Sequence, residues 1–184
     1  EECKFLKMNY GLDCSVIVSQ NAKLLIRNPY EAITLLPRKI SRKGLAGLFQ
    51  MILTLRSCNP DVVISHSSTD SWLVAVARIF LARKVPLIRI RHVSAPVKNS
   101  FLTRWMYSQA SRVVTTSDQI RQHLVETLSL DEQVVISIPT GIDPEHYKGI
   151  QEEETQKLKR SIFPEFVNPI CLMVSTLRSW KGHE

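Results

Sequence analysis

Two histidines each lie at the end of a short, mostly apolar run that is typical of a β-strand. His66 follows Val62–Ser65 and opens the polar run His66–Ser71. His92 comes soon after Leu87–Ile90 and stands next to an arginine. An imidazole can donate or accept a hydrogen bond, or transfer a proton, near neutral pH. Hydroxyls at the start of a helix can hold a polar or anionic group of a ligand.

Each of these segments also has a purely structural interpretation. A helix that begins here needs one capping side chain, for which Ser68, Thr69 or Asp70 is available, and a histidine can simply tie down a loop. The run of six polar side chains exceeds what capping needs, and the two histidines fall at equivalent strand ends. We therefore favour a ligand site whose candidate residues are His66, Ser67, Ser68, Asp70 and His92.

Apolar runs alternate with amphipathic segments along most of the chain. The strand candidates are Cys14–Ser19, Ala32–Leu36, Val62–Ser65, Leu87–Ile90, Val113–Thr116, Val134–Ile138 and Ile170–Ser175. The helix candidates are Glu2–Asn9, Gly44–Arg56, Asp70–Arg83, Asn99–Ala110, Asp118–Leu128 and Glu152–Ser161. Most strand candidates are hydrophobic at consecutive positions, as in a parallel sheet covered on both faces. The order predicts an α/β fold with an open, doubly wound parallel sheet, whose ligands bind at the carboxyl ends of the strands.

The last strand candidate leads into a loop that carries Arg178 and Lys181, with Gly182 just before an expected helix. Two cations and a glycine at such a place suit a diphosphate. The signal is weak by itself, because the loop contains neither a Gly-x-Gly-x-x-Gly motif nor a P-loop.

Positive charge is concentrated in one part of the chain. The formal net charge is +7, and residues 14–117 contain fifteen Lys or Arg against three acids, a local net charge of +12. This surface favours an anionic partner such as a phosphorylated small molecule or an anionic membrane, although a solvated basic face is the simpler alternative. We expect no nucleic-acid partner, because no recognised nucleic-acid-binding motif is present and aromatic residues make up only 7% of the chain.

The composition excludes several classes of protein. A hydrophobic fraction of 44% with 22% charged residues is typical of a globular protein, and no apolar run reaches the roughly 18 residues of a membrane span. The four cysteines show no Cys-x-x-Cys pairing, which favours a reducing, cytoplasmic compartment. The first residue is Glu1 and the last Glu184, and we expect the chain to be a fragment of a longer protein.

Four segments taken in order resemble the retaining glycosyltransferases of the GT-B fold, which has two Rossmann-like domains. Within that group they are most similar to glycosyltransferase family 4, and to its members that build lipopolysaccharide or other surface glycans. The segments are 59–67 (NPDVVISHS), 85–92 (VPLIRIRH), 138–143 (IPTGID) and 174–183 (VSTLRSWKGH).

The resemblance implies a role for several residues. His92 matches a histidine that lies near the transferred sugar, and Lys181 matches a lysine that binds the donor diphosphate. Arg178 would supply the charge of a family arginine that is absent here, since Ser175-Thr176-Leu177 stands in its place. The loop at His66–Asp70 would face the acceptor. The family needs neither a metal ion nor another cofactor, since cationic side chains stabilise the departing diphosphate.

The resemblance also implies a division of the chain. Residues 1–162 would form the acceptor-side domain without its first strand and glycine-rich loop, and 163–184 would be a linker and the start of the donor-side domain. The family's Glu-x7-Glu pair would lie beyond residue 184, so we expect the 184 residues alone to transfer no sugar.

The partners implied are a nucleotide-sugar donor and a glycan or lipid-linked acceptor, at the inner face of the plasma membrane. The basic run Arg38–Lys43, followed by the apolar helix candidate, is a plausible membrane contact. Alternatively, that helix packs on the sheet with its basic start in solvent. A second hypothesis for the whole chain is a non-catalytic module of the same architecture that binds a sugar or phosphate.

Overall fold

The computed structural model describes residues 2–25, 33–38, 45–93, 95–141, 144, 149, 151–165, 168, 170, 171 and 173. The chain divides into two compact units, 1–140 and 141–184, and the first unit holds every strand given below. The expected boundary between residues 162 and 163 stays a prediction. Half of the expected strand Ile170–Ser175 falls outside the described residues, and its described positions are not in a strand.

Helices and strands alternate through the first unit. The helices are α1 (Glu2–Tyr10), α2 (Leu45–Cys58), α3 (Ser68–Ala77), α4 (Phe101–Ser108), α5 (Asp118–Leu128) and, in the second unit, α6 (Glu152–Ile162). The strands are β1 (Ser15–Ser19), β2 (Thr34–Arg38), β3 (Val63–Ser65), β4 (Leu87–Arg91), β5 (Arg112–Thr115) and β6 (Val135–Ser137). Each of them overlaps a segment that the sequence predicted. Among the described residues, no helix combines the length and the apolar character needed to cross a bilayer.

All strand pairs are parallel. β1 pairs with β2 in a two-stranded sheet, while β3, β4, β5 and β6 lie side by side in that order in a four-stranded sheet. Parallel neighbours need a crossover connection, and α3, α4 and α5 supply those of the larger sheet. The predicted α/β fold with a parallel sheet is therefore confirmed, and the carboxyl ends of β3 to β6 meet at one edge.

The core lies against one face of the four-stranded sheet. Leu87, Val113 and Val135 project from this face and are at most 1% exposed. Leu124 of α5 is fully buried against the same cluster. On the opposite face Ile136 is 38% exposed, so the described residues cover that face less completely. Burial of apolar surface against α3 and α5 thus fixes the position of the strands and of the edge where they end.

Serine caps set where two of the crossover helices begin. The hydroxyl oxygen of Ser67 accepts a hydrogen bond from the backbone N–H of Asp70 at 3.1 Å, so the cap of α3 is Ser67 rather than one of the expected residues 68–70. Ser67 has the extended backbone that a capping residue needs, with φ −115° and ψ 160°. The cap of α5 is Ser117, whose hydroxyl oxygen accepts from the backbone N–H of Ile120 at 3.3 Å.

Removing the α5 cap provides a test of this packing. We expect Ser117→Ala to lower the free energy of unfolding by about 0.5–2 kcal/mol, because a backbone N–H of the first turn loses its acceptor. Ser117→Asp retains an acceptor oxygen and should restore most of the loss. Chemical denaturation measures both, with Ser111→Ala, a change at an exposed loop residue, as the control. An unchanged stability of Ser117→Ala would contradict the role of the cap.

Candidate functional site

The carboxyl ends of β3 and β4 lie next to each other. Ser65 pairs with Arg89 in the parallel register, so the chain leaves the two strands from neighbouring positions. His66 directly follows β3, His92 directly follows β4, and both are exposed. The structure therefore brings the two sequence-predicted histidines to one point on the sheet edge.

A hydrogen bond joins the two imidazole rings. Nδ1 of His66 and Nε2 of His92 are 3.0 Å apart. The ring planes differ by only 7°, and the ring centroids are 5.3 Å apart. This separation equals the N···N distance plus one ring radius on each side, so the rings lie edge to edge in nearly one plane and are not stacked. In that arrangement the lone pair of one nitrogen points along the N–H bond of the other, which is the favourable geometry.

A carboxylate that the sequence analysis missed lies beside the pair. Oε2 of Glu2, at the start of α1, is 3.7 Å from Nε2 of His66, and both side chains are about half exposed. α1 and β3 are far apart in the sequence, and no motif or spacing links them. An acid in the first turn of a helix has an ordinary explanation in the helix dipole, so the sequence contained no signal for this contact.

The hydroxyls between β3 and α3 bind the backbone and one another. The hydroxyl of Ser71 donates to the carbonyl of Ser67 at 2.7 Å and lies 2.9 Å from the buried hydroxyl of Ser65. Ser67 is also the cap of α3, so the structural interpretation accounts for its side chain. Ser68 is exposed and Asp70 is half-buried. Of the four predicted acceptor-side residues, the histidine and Ser68 are thus the most accessible to a ligand.

Two arginines of β4 carry positive charge into the protein next to His92. Arg89 is only 4% exposed, and its guanidinium lies 4.4 Å from the centre of the Tyr107 ring. The guanidinium of Arg91 donates to the Tyr107 hydroxyl at 3.2 Å and to the carbonyl of Ala95. In the described part of the chain neither arginine forms an ion pair.

Burial lowers the pKa of Arg89, because the charged guanidinium loses solvation. The neighbouring charge of Arg91 lowers this pKa further, while Tyr107 and Asp70 act in the opposite direction. The guanidinium of Arg89 nevertheless stays charged at neutral pH, because the ordinary pKa of arginine lies far above neutrality. The two guanidinium groups therefore give this part of the sheet a positive potential, which favours an anionic ligand.

The remaining predicted residues contribute nothing to the described site. Arg178 and Lys181 lie outside the described residues. Two open depressions of about 450 Å³ occur elsewhere, one along α6 and one between β2 and α2, and neither contains the histidine pair. In the ranges that the structure describes, no three His, Cys, Asp or Glu side chains are grouped so that they could hold a metal ion.

Solved structures share this fold. A glycosyltransferase from Rickettsia africae ESF-5 superposes with a TM-score of 0.78 at 23% identity, over 98% of this chain and 49% of its own. The Anabaena protein Alr3699/HepE, solved in complex with UDP-glucose, superposes with a TM-score of 0.59 at 15% identity, over 80% of this chain and 41% of its own. The chain thus spans about half the length or less of these structures. No curated protein sequence matches it.

The family of the chain follows from its sequence. The family model named Glycosyltransferase Family 4 matches residues 10–146, which is most of the chain and includes both strands that end at the histidine pair. This chain therefore belongs to Glycosyltransferase Family 4.

Proposed function

We propose that this chain is the acceptor-side part of a retaining, metal-independent GT-B hexosyltransferase, which moves a sugar from a nucleotide-sugar donor to a glycan acceptor. The observation that carries the proposal is the hydrogen-bonded pair His66–His92 at the carboxyl ends of two adjacent parallel strands. This is the edge at which open α/β sheets bind ligands. Membership of the family and the UDP-glucose complex of the Anabaena neighbour support a nucleotide-sugar donor.

Each site residue then has a chemical role. His92 lies beside the transferred sugar and forms a hydrogen bond with it. Lys181, with Arg178, holds the donor diphosphate and stabilises the negative charge that develops as the nucleotide leaves. His66, Ser68 and Asp70 face the acceptor, and Ser67 shapes the same loop through its cap.

The two arginines of β4 support an anionic substrate. Arg89 and Arg91 lie near His92 without an ion-pair partner among the described residues, so their charge is not neutralised locally. A positive potential at a strand end raises the local concentration of anionic substrates and speeds their encounter with the site. A diphosphate-linked donor or acceptor has the complementary charge.

The acceptor that we propose is lipid-linked, as in the synthesis of lipopolysaccharide or another surface glycan. α2 supports this proposal because it is apolar on two sides. Met51 and Leu55 are buried in the core, whereas Leu45, Phe49 and Leu53 are 81%, 61% and 47% exposed. The exposed three are spaced four residues apart and form one stripe along the helix. An exposed apolar stripe of this kind fits the surface of a membrane.

Basic residues come directly before this stripe. In the sequence, Arg38–Lys43 contains four cations, and anionic lipids of the inner leaflet attract each nearby cation by about 1 kcal/mol. The packing alternative is correct for one side of α2, which contacts the core. The membrane proposal concerns the other side, and it places the protein in the cytoplasm at the inner face of the plasma membrane.

The transferase proposal is tested with the full-length protein that contains this chain. With a nucleotide-sugar donor and a lipid-linked acceptor, we expect transfer of labelled sugar, and His92→Ala should lower kcat/KM by about tenfold or more, because one hydrogen bond to the transferred sugar is lost. His123→Ala, at an exposed position of α5, is the matched control. The 184 residues alone should bind ligand without turnover. Donor binding by the full-length protein without transfer to any acceptor would favour the non-catalytic module.

The membrane proposal is tested by flotation with lipid vesicles. We expect the chain to float with vesicles that contain anionic lipid and to remain unbound with neutral ones. Replacing Leu45 and Phe49 with Ser should reduce flotation at least tenfold, because the apolar contact is lost. Ile79→Ser removes an equally exposed apolar side chain outside the stripe and is the control. Equal binding to neutral and anionic vesicles would contradict the electrostatic part of the proposal.

A further inference from the structure

We propose that Glu2, His66 and His92 form a histidine relay, in which His66 acts as a positioning residue that fixes the tautomer of His92. In this relay the proton of His92 is on Nε2, and Nδ1 presents its lone pair to the ligand. The nature of the ligand, a sugar hydroxyl, rests on the proposed function. The tautomer does not, because it follows from contacts within the chain.

The edge-to-edge geometry requires one proton between the rings. Nδ1 of His66 and Nε2 of His92 are 3.0 Å apart and their rings are nearly coplanar, so one nitrogen must donate and the other must accept. A neutral histidine has one N–H and one lone pair, and the hydrogen bond of one nitrogen determines the state of the other. The direction of this single bond therefore decides which nitrogen of His92 remains available as an acceptor.

Glu2 selects the direction. Its carboxylate oxygen is 3.7 Å from Nε2 of His66, too long for a hydrogen bond but close enough to favour a proton on that nitrogen electrostatically. A proton on Nε2 of His66 is attracted by the carboxylate, whereas a lone pair there is repelled. Neutral His66 then has its lone pair on Nδ1 and accepts from Nε2–H of His92.

The neighbouring cations do not compete for the pair. The guanidinium of Arg91 is bound to the Tyr107 hydroxyl and the Ala95 carbonyl. Among the described residues, His92 makes no second hydrogen bond, so its Nδ1 is available to a ligand. Because His92 is exposed, this lone pair can accept a hydrogen bond from a hydroxyl. The relay thus selects a ligand that donates at this point and disfavours one that offers only a lone pair.

Nuclear magnetic resonance of the ¹⁵N-labelled chain tests the relay without any transferase assay. We expect a through-hydrogen-bond coupling between Nδ1 of His66 and Nε2 of His92, with the proton attached to Nε2 of His92. His123, which is exposed on α5, should show the averaged pattern of a free imidazole and serves as an internal reference. A proton attached to Nδ1 of His66, or an averaged tautomer at His92, would overturn the proposal.

Variants separate positioning from a merely structural role. His66→Asn retains an acceptor oxygen near the place of Nδ1 and should keep the Nε2–H tautomer of His92. His66→Leu removes the acceptor and should give the averaged pattern. Glu2→Gln should reduce the population of the Nε2–H tautomer, while Glu126→Gln, an exposed residue of α5, should leave it unchanged. If His66→Leu does not fold, the Asn and Gln variants still decide, because an unchanged tautomer in Glu2→Gln contradicts the relay.

A kinetic comparison in the full-length protein adds the functional consequence. His66→Leu should lower kcat/KM about tenfold, the effect of one misdirected hydrogen bond, and His66→Asn should retain most of the wild-type value. Equal losses of kcat/KM in the two variants would show that activity depends on the ring of His66 and not on its acceptor atom. That result would overturn the positioning role. The absence of any transfer by the wild type would refute the proposed function, while the tautomer result would stand by itself.

Discussion

The parallel pairing of β3 with β4 decides where His66 and His92 meet. Ser65 of β3 lies opposite Arg89 of β4 in the register. His66 follows Ser65 directly, and His92 comes three residues after Arg89. A slip of one residue would turn one side chain to the other face of the sheet and separate the rings. Burial of β4 residues in the core and the hydroxyl contacts next to β3 hold this register. The packing of the sheet therefore sets the geometry of the histidines at its edge.

The buried guanidinium of Arg89 shows that stability alone does not explain this edge. A guanidinium that loses solvation without a carboxylate partner destabilises the folded state. Replacing a buried charged group with apolar residues of similar volume often leaves the stability unchanged or raises it. Among the described residues, the guanidinium of Arg89 is compensated by the face of Tyr107, by the sulfur of Met106 at 3.2 Å and by the charge of Asp70. A positive charge held next to His92 at such a cost is consistent with a function that needs an anion, such as a diphosphate.

Much of the fold could be predicted because its signals are local. Apolar runs and polar gaps located the described strands, and a helical pattern located α5, whose cap Ser117 stands directly before it. The position of the histidines at equivalent strand ends was also readable, since parallel strands end at one edge. The hydrogen bond between the two histidines could not be predicted from the sequence, because it depends on strand register and ring orientation. The contact of Glu2 with His66 could not be predicted for a related reason. It joins α1 to the end of β3 in the tertiary structure, and the sequence gives no direct information on such distances.

The central claim is that the strand register makes His66 and His92 one coupled unit, and a double-mutant cycle on the free energy of unfolding tests it most directly. His66→Ala, His92→Ala and the double variant are compared with the wild type by chemical denaturation. We predict a coupling free energy of about 0.5–1.5 kcal/mol, the contribution of one hydrogen bond between the rings. Strictly additive losses, with a coupling of zero, would contradict the account.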